Sequence, residues 1–131
     1  MRRLAALALL VLSLGACSPG GGPAGRTVTF TVRYSSFGVD HLTVARGSTV
    51  RFVVENRDPI DHELIVGDRE VQDVHEKGQG HHHGAVPGEI SVPAGATAET
   101  TYTFDEPGTI LFGCHLPGHF AYGMRGTIRV V

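Results

Sequence analysis

The sequence predicts an all-β fold, an antiparallel β-sandwich of seven to eight short strands. Three observations support it. Apolar and polar side chains alternate with a period of two in several runs, turn-forming residues separate these runs, and the chain has no long amphipathic helical pattern. Two facing sheets, each burying one face, are the architecture that such runs favour. A length of 131 residues with 41% hydrophobic content suits one domain.

Residues 1–16 are predicted to be an export signal. Arg2 and Arg3 precede an apolar run, Leu4 to Leu12, that is too short to span a bilayer but has the length of a signal's hydrophobic region. The following Leu14-Gly-Ala-Cys17 resembles the bacterial lipobox, in which cleavage exposes a cysteine that receives lipid. We therefore expect lipidated Cys17 to anchor the protein to a membrane, at the periplasmic or extracytoplasmic face. An ordinary export signal, with Cys17 left as a free thiol, is the alternative.

Residues 17–25 are expected to form a flexible linker, because they are rich in Gly and Pro and have no large apolar side chain to bury. The folded domain is then predicted over residues 26–131. A formal net charge of −2 and a pI of about 6.4 give no clustered basic surface, which argues against a nucleic-acid partner. Two cysteines cannot build a disulfide framework.

The strands are predicted in chain order from their alternation. The first run places Val28, Phe30, Val32 and Tyr34 on one face and polar side chains on the other. Further runs are centred on residues 50–54, 62–66, 102–104, 109–113 and 128–130. Turn signals separate them at Ala45–Gly47, Asn56–Pro59, Pro93–Gly95 and Asp105–Gly108.

A polar insertion from Gly67 to Gly88 interrupts this pattern. It has few residues to bury and is predicted to be a long loop with one helical turn near Val71 to Glu76. The insertion contains four histidines, His75, His81, His82 and His83. With the neighbouring carboxylates, these imidazoles form a candidate secondary site for Cu²⁺ or Zn²⁺, and a solvated loop without metal is the alternative.

The candidate chemistry lies near the C-terminus, between Gly113 and Met124. There Cys114, His119 and Met124 follow one another at spacings of five on a segment that contains a Pro-Gly turn. A thiolate, an imidazole and a thioether suit copper, with the methionine as a weak axial ligand. A trigonal His₂Cys site needs a second imidazole, and His62, at the start of a predicted strand, is the best candidate. That strand can lie beside the strand leading to Cys114.

Cys114 and Met124 taken singly are also typical core residues. However, Cys114 is the only thiol of the folded domain, and an unpaired thiol in an exported protein is liable to oxidation, so metal ligation explains its presence better. His115 is expected outside the site, because its ring points away from the Cys114 thiolate if the segment is extended. His41 is expected on the surface.

With these residues in place, the sequence resembles the cupredoxins, the blue-copper proteins of the plastocyanin and azurin type. The resemblance covers about Thr27 to Val131 and rests on an early aromatic strand, Asn56 ahead of the upstream histidine, and the C-x₄-H-x₄-M loop. It implies a Greek-key sandwich that binds one type 1 copper at one end. The ligands implied are those that match the family's, namely His62, Cys114, His119 and Met124.

One position departs from the family pattern. Many cupredoxins have Asn or Ser directly after the upstream histidine, where it joins the two ligand segments by hydrogen bonding, whereas this chain has Glu63. Strand alternation is expected to point Glu63 away from the ligand side, in a structural or solvent-facing position. The alternative is a carboxylate near the metal that lowers the potential or contacts the copper in some states.

The leading functional hypothesis is one-electron transfer between redox partners in the cell envelope, because a copper site of this kind changes oxidation state with little ligand movement. The resemblance implies that partners dock near His119, through a patch formed by Leu116, Pro117, Phe120 and Ala121. The alternative is an envelope copper-binding protein for buffering, delivery or tolerance, with the His-rich loop as a capture site. Enzymatic activity is not expected, because copper nitrite reductases and multicopper oxidases use further domains and a catalytic copper. A CuA site needs two bridging thiolates, and the folded domain has one.

Overall fold

The computed structural model describes residues 25–80 and 86–131. Within these ranges the predicted all-β sandwich is confirmed, with eight strands and one short helix. They are β1 (Arg26–Val32), β2 (His41–Val44), β3 (Thr49–Asn56), β4 (His62–Gly67), α1 (Arg69–Glu76), β5 (Glu89–Val92), β6 (Thr97–Thr103), β7 (Gly108–Gly113) and β8 (Arg125–Val130). The predicted signal segment, Cys17, nearly all of the linker, and His81, His82 and His83 lie outside the described residues.

The strands form two sheets. The smaller has the order β1-β3-β6, and the larger has the order β2-β8-β7-β4-β5. Two pairs, β1 with β3 and β2 with β8, are parallel, and the others are antiparallel. The alternation could not show this, because a period of two reports which face of a strand is buried and not the direction of its neighbour.

The core lies between the two sheets and is rich in phenylalanine. Phe30 of β1 contacts Phe112 of β7 across the sandwich, with 5.0 Å between ring centroids, and stacks on Phe52 of β3 at 5.8 Å. All three rings are fully buried. Burial of a side chain of this kind contributes roughly 1.5–3 kcal/mol, so the alternating strands are stabilised chiefly by these contacts.

The end of β1 differs from the prediction. The strand stops at Val32, and Tyr34, which was expected on its apolar face, is 86% exposed. Tyr34 and Ser35 adopt left-handed backbone conformations, with φ of 54° and 52°. Their N–H groups donate to the Asp58 carboxylate at 2.7 Å each, and this contact turns the chain out of the strand.

Helix α1 has two turns where one was expected. Asp68 caps its N-terminus by accepting the Val71 N–H at 3.0 Å. The helix packs on β4 and β7, but its buried residues are Gln72 and His75, so no apolar stripe marks it in the sequence. It is the one helix among the described residues, and none there is long and apolar enough to cross a membrane.

Candidate metal centre

The pairing of β4 with β7 places two of the predicted ligands at one end of the larger sheet. The strands are antiparallel, with Ile65 opposite Gly113. His62, the first residue of β4, and Cys114, the first residue after β7, therefore lie at the same edge of the sandwich. The prediction that the strand of His62 lies beside the strand leading to Cys114 is confirmed.

The segment between β7 and β8 folds back on itself and carries the other two predicted ligands, His119 and Met124. The Cys114 N–H donates to the Met124 carbonyl at 3.0 Å, and the Met124 N–H donates to the His119 carbonyl at 2.9 Å. Gly118 allows the turn between them, because its φ of 85° is one that other residues rarely adopt. The main chain thus holds Cys114, His119 and Met124 close together, and the Met124 side chain is buried.

Three donor atoms converge at this point. The Cys114 Sγ lies 3.2 Å from Nδ1 of His119 and 4.0 Å from Nδ1 of His62, and one ligand atom from each residue lies within 4.8 Å of the others. Bonds of about 2.0–2.1 Å from a histidine nitrogen and about 2.3 Å from a cysteine sulfur to one ion separate the sulfur and nitrogen by at most about 4.4 Å, and both distances from the Cys114 sulfur are shorter than this. The spacing fits a single metal ion. The soft donor set favours copper.

The protonation states of the donors follow from their burial. Burial raises the pKa of the Cys114 thiol to about 11, although the Leu116 N–H lowers it in part. Burial, with a smaller contribution from His62, lowers the pKa of His119. In the metal-free protein at neutral pH, His119 is therefore a neutral acceptor and Cys114 carries a proton that a metal must displace.

Asp58 orients the His62 imidazole. Its Oδ2 lies 3.0 Å from Nε2 of His62, so Nε2 carries the hydrogen and Nδ1 faces the Cys114 sulfur as an acceptor. Burial acts to raise the pKa of Asp58, but the N–H groups of Ser35 and Tyr34 and the His62 imidazole outweigh it and hold this pKa below its ordinary value. Sequence reasoning missed Asp58 by treating it as a turn residue. The signal in the sequence that could have revealed this role was a carboxylate four positions before the ligand histidine.

Glu63 is structural, as one of the two expectations had it, but it does not face solvent. It is 2% exposed, and its Oε1 accepts the His115 N–H at 2.7 Å. The other expectation failed because all six residues of β4 are buried, since α1 covers the face that a two-sheet sandwich would leave open. Glu63 thereby joins the two ligand segments, which is the role that the resemblance assigns to Asn or Ser at this position.

His115 lies outside the donor cluster, on the α1 side of the sheet. Its Nδ1 is 2.7 Å from Oε2 of Glu76, its Nε2 is 2.7 Å from Oε1 of Gln72, and its ring stacks on Phe120 at 4.5 Å. The ring of Phe120 packs directly on Gly113, where a Cβ would lie 2.5 Å from it. His115 therefore joins the ligand segment to α1 and is no metal ligand in this arrangement.

Two further histidines, His75 and His41, lie apart from the donor cluster. His75 is buried in α1, with Nδ1 2.8 Å from the Val71 carbonyl and Nε2 3.2 Å from Oε2 of Glu89. The secondary metal site on His75, His81, His82 and His83 stays a prediction. His41 is exposed beside Asp40.

The protein's family follows from a match over most of its length. Residues 27–131 match the copper binding proteins of the plastocyanin/azurin family. The chain belongs to this family. Its cofactor is one type 1 copper, and His62, Cys114 and His119, with Met124 beside them, are the residues of this cupredoxin that would hold it.

Relatives of known name are described as copper-resistant cuproproteins. The chain is 38% identical over 92 residues to the "Copper-resistant cuproprotein CopI" of Rubrivivax gelatinosus, covering 68% of this chain and 56% of that protein. It is 30% identical over 92 residues to the protein of the same name from Vibrio cholerae, covering 68% and 54%. The chain thus spans little more than half the length of these two relatives.

Solved structures of similar fold include two auracyanins. Auracyanin B superposes with a TM-score of 0.68 at 22% identity, covering 89% of this chain and 96% of that one. Auracyanin A, a "blue" copper protein from Chloroflexus aurantiacus, has a TM-score of 0.66 at 23% identity, covering 82% and 100%. At these identities the similarity is one of fold.

Proposed function

We propose that this cupredoxin carries single electrons between redox partners in the cell envelope. The observation that carries the proposal is the donor geometry, in which the Cys114 sulfur lies 3.2 Å from Nδ1 of His119 and 4.0 Å from Nδ1 of His62. The Asp58 carboxylate accepts from the His62 imidazole, and the Glu63 carboxylate accepts the N–H of His115, the residue after Cys114, so both contacts support the ligand segments. When bound there, copper supplies a one-electron couple whose ligands move little between oxidation states.

The exposure of the ligands supports a route for the electron. His62 and Cys114 are buried, whereas His119 is partly exposed, so its ring offers the shortest path between the sulfur and the surface. Around it, Pro117 and Ala121 are exposed, and Leu116 and Phe120 are partly exposed. An apolar rim of this kind suits brief docking of a partner protein.

The proposal also includes the protein's location in the cell envelope and its lack of enzymatic activity. The export pattern at residues 1–16 and the lipobox-like Cys17 support attachment to a membrane at the periplasmic or extracytoplasmic face. We propose no enzymatic activity, because the described residues hold one cluster of three metal donors and two of its members, His62 and Cys114, are buried.

A paired substitution tests the electron route. Ala121→Asp places a charge beside His119, while Thr101→Asp places the same charge on an exposed position of β6, in the other sheet. We expect Ala121→Asp to slow electron exchange with a redox partner by more than its change in potential accounts for, and Thr101→Asp to leave the exchange unchanged. Equal rates in the two variants would count against docking at His119.

A copper-tolerance role is the second candidate. Its support is the name of the relatives, copper-resistant cuproprotein, together with the His81-His82-His83 run that follows α1 in the sequence. A protein in this role would bind or deliver copper in the envelope, with the histidine run as the point of capture.

Deletion of Gln79 to Gly84 separates the two candidates. For an electron carrier, the colour, the potential and the rate of exchange with a redox partner stay almost unchanged, because the four ligands lie outside the deletion. For a copper-tolerance protein, metal loading at low free copper slows and the host cell becomes more sensitive to copper. Strong copper sensitivity with normal respiration would reverse the order of the two candidates.

A further inference from the structure

We propose that Asp58 is a positioning residue for the copper ligand His62, and that its carboxylate stabilises Cu(II) relative to Cu(I) and so lowers the reduction potential. The inference concerns the copper site itself and holds for either of the two roles proposed above. It rests on the hydrogen bonds that converge on one buried carboxylate between the loops after β1 and β3.

Asp58 is held by contacts from three parts of the chain. Its two oxygens accept the N–H groups of Tyr34 and Ser35 at 2.7 Å each, and Oδ2 lies 3.0 Å from Nε2 of His62. Its own N–H donates to Oδ1 of Asn56 at 3.0 Å. The residue is 8% exposed. The carboxylate therefore has one orientation, and one of its oxygens is aimed at the imidazole.

The backbone around Asp58 is built to receive a negative charge. Tyr34 and Ser35 have φ of 54° and 52°, a conformation that is strained for residues other than glycine. Two successive N–H groups in this arrangement form a concave nest for an anion. The peptide groups of the nest are uncharged, so they do not neutralise the carboxylate. Its full negative charge therefore acts on the His62 imidazole and on any ion bound to the other nitrogen of that ring.

The consequence for copper follows from the two nitrogens of His62. Because Asp58 holds the proton on Nε2, Nδ1 is left as the ligand atom facing Cys114. A carboxylate that accepts the other N–H of a ligand histidine raises the basicity of the ring. The doubly charged Cu(II) gains more from a basic ligand and a nearby anion than Cu(I) does, so the cupric state is favoured.

An asparagine cannot reproduce these contacts. If its oxygen takes the place of Oδ2, it still accepts from Ser35 and His62, but its NH₂ group faces the Tyr34 N–H. If its oxygen takes the place of Oδ1, the NH₂ group faces both the Ser35 N–H and Nε2–H of His62. Either orientation leaves donors opposite donors. Asp58→Asn therefore removes the negative charge and weakens the support of the His62 imidazole at nearly constant volume.

The test compares Asp58→Asn with Asp61→Asn. Asp61 is an exposed carboxylate of the same loop that accepts the Ala94 N–H at 2.9 Å, so its substitution removes the same charge without touching the imidazole. We expect Asp58→Asn to weaken Cu(II) binding relative to Cu(I) by about 10-fold to 100-fold. Tenfold corresponds to a rise in potential of about 59 mV for one electron. A potential that matches that of the Asp61→Asn protein would overturn the proposal.

A second measurement needs neither copper nor a variant. ¹⁵N NMR of the natural metal-free protein reports which nitrogen of His62 carries the hydrogen, and we expect Nε2. A hydrogen on Nδ1 would overturn the proposal. If the single variant Asp58→Asn does not fold, it is combined with Ser35→Gly, because glycine adopts a φ near 52° at little cost. The potential of this double variant is then compared with that of Ser35→Gly alone.

Discussion

The Glu63 carboxylate accepts the His115 N–H at 2.7 Å and thereby joins the two residues that directly follow the ligands His62 and Cys114. The Glu63 side chain is buried, and the bond lies between β4 and the segment after β7. Because each partner is adjacent to a ligand, a shift of either strand end would move a donor atom. This contact therefore holds the separation of the donor atoms in the metal-free protein.

Substitution of Glu63 tests that contact. Glu63→Gln keeps an oxygen acceptor, whereas Glu63→Ala leaves a buried N–H without its partner, at a cost of about 1–3 kcal/mol. We expect Glu63→Ala to lower the free energy of unfolding of the metal-free protein by at least this much, and Glu63→Gln to lower it less. Denaturant unfolding measures both. Equal losses in the two variants would show that the hydrogen bond contributes little.

Cys114→Ser tests the thiolate ligand. The intense visible absorption of the Cu(II) protein comes from the bond between thiolate and copper, and a hydroxyl does not replace it. We expect the variant to be colourless in the presence of Cu(II) while circular dichroism shows the same β-sandwich. A coloured Cys114→Ser protein would rule out this residue as the ligand.

Met124 is predicted to tune the potential as a weak axial ligand. Met124→Leu leaves a more apolar axial position and should raise the potential, whereas Met124→Gln supplies an oxygen donor and should lower it. Voltammetry of the natural protein and both variants measures the shifts, and about 59 mV corresponds to a tenfold change in relative affinity for the two oxidation states. Identical potentials would indicate that Met124 is a core residue only.

Copper uptake is predicted to release the Cys114 proton. Because burial raises the pKa of this thiol to about 11, the metal-free protein holds the proton at neutral pH, and copper binds the thiolate. At pH about 8 we expect about one proton released per copper, so the affinity rises with pH and levels off above the thiol pKa. Calorimetry in buffers of different ionisation enthalpy measures the release. Cys114→Ser is the matched control, and we expect it to release one proton fewer per copper than the natural protein. An equal release by the natural protein and the variant would contradict the assignment of Cys114 as the source of the proton.

The sequence alone supported the sandwich and the family, because both depend on local patterns. Alternation along β1, β3 and β8 shows which side chains are buried whatever the strands pair with, and the C-x₄-H-x₄-M loop has its ligands on one short segment. His62 could be proposed because a trigonal site needs a second imidazole. These inferences required no knowledge of distant contacts.

The surroundings of the ligands depended on contacts between distant segments. The burial of Glu63 follows from α1 covering β4, and α1 itself has polar buried residues that no apolar periodicity reveals. The role of Asp58 follows from two residues after β1 that lie 24 and 23 positions earlier in the chain and turn their N–H groups toward it.

The sequence by itself therefore determined that this protein is a β-sandwich with a cysteine, two histidines and a methionine available for copper. Only the tertiary structure decided how the donors are held, through Asp58 at His62 and through Glu63 at His115. The physical reason is that donor chemistry belongs to residue types, whereas the orientation and charge environment of each donor belong to buried polar partners. Folding brings those partners in from other strands and loops.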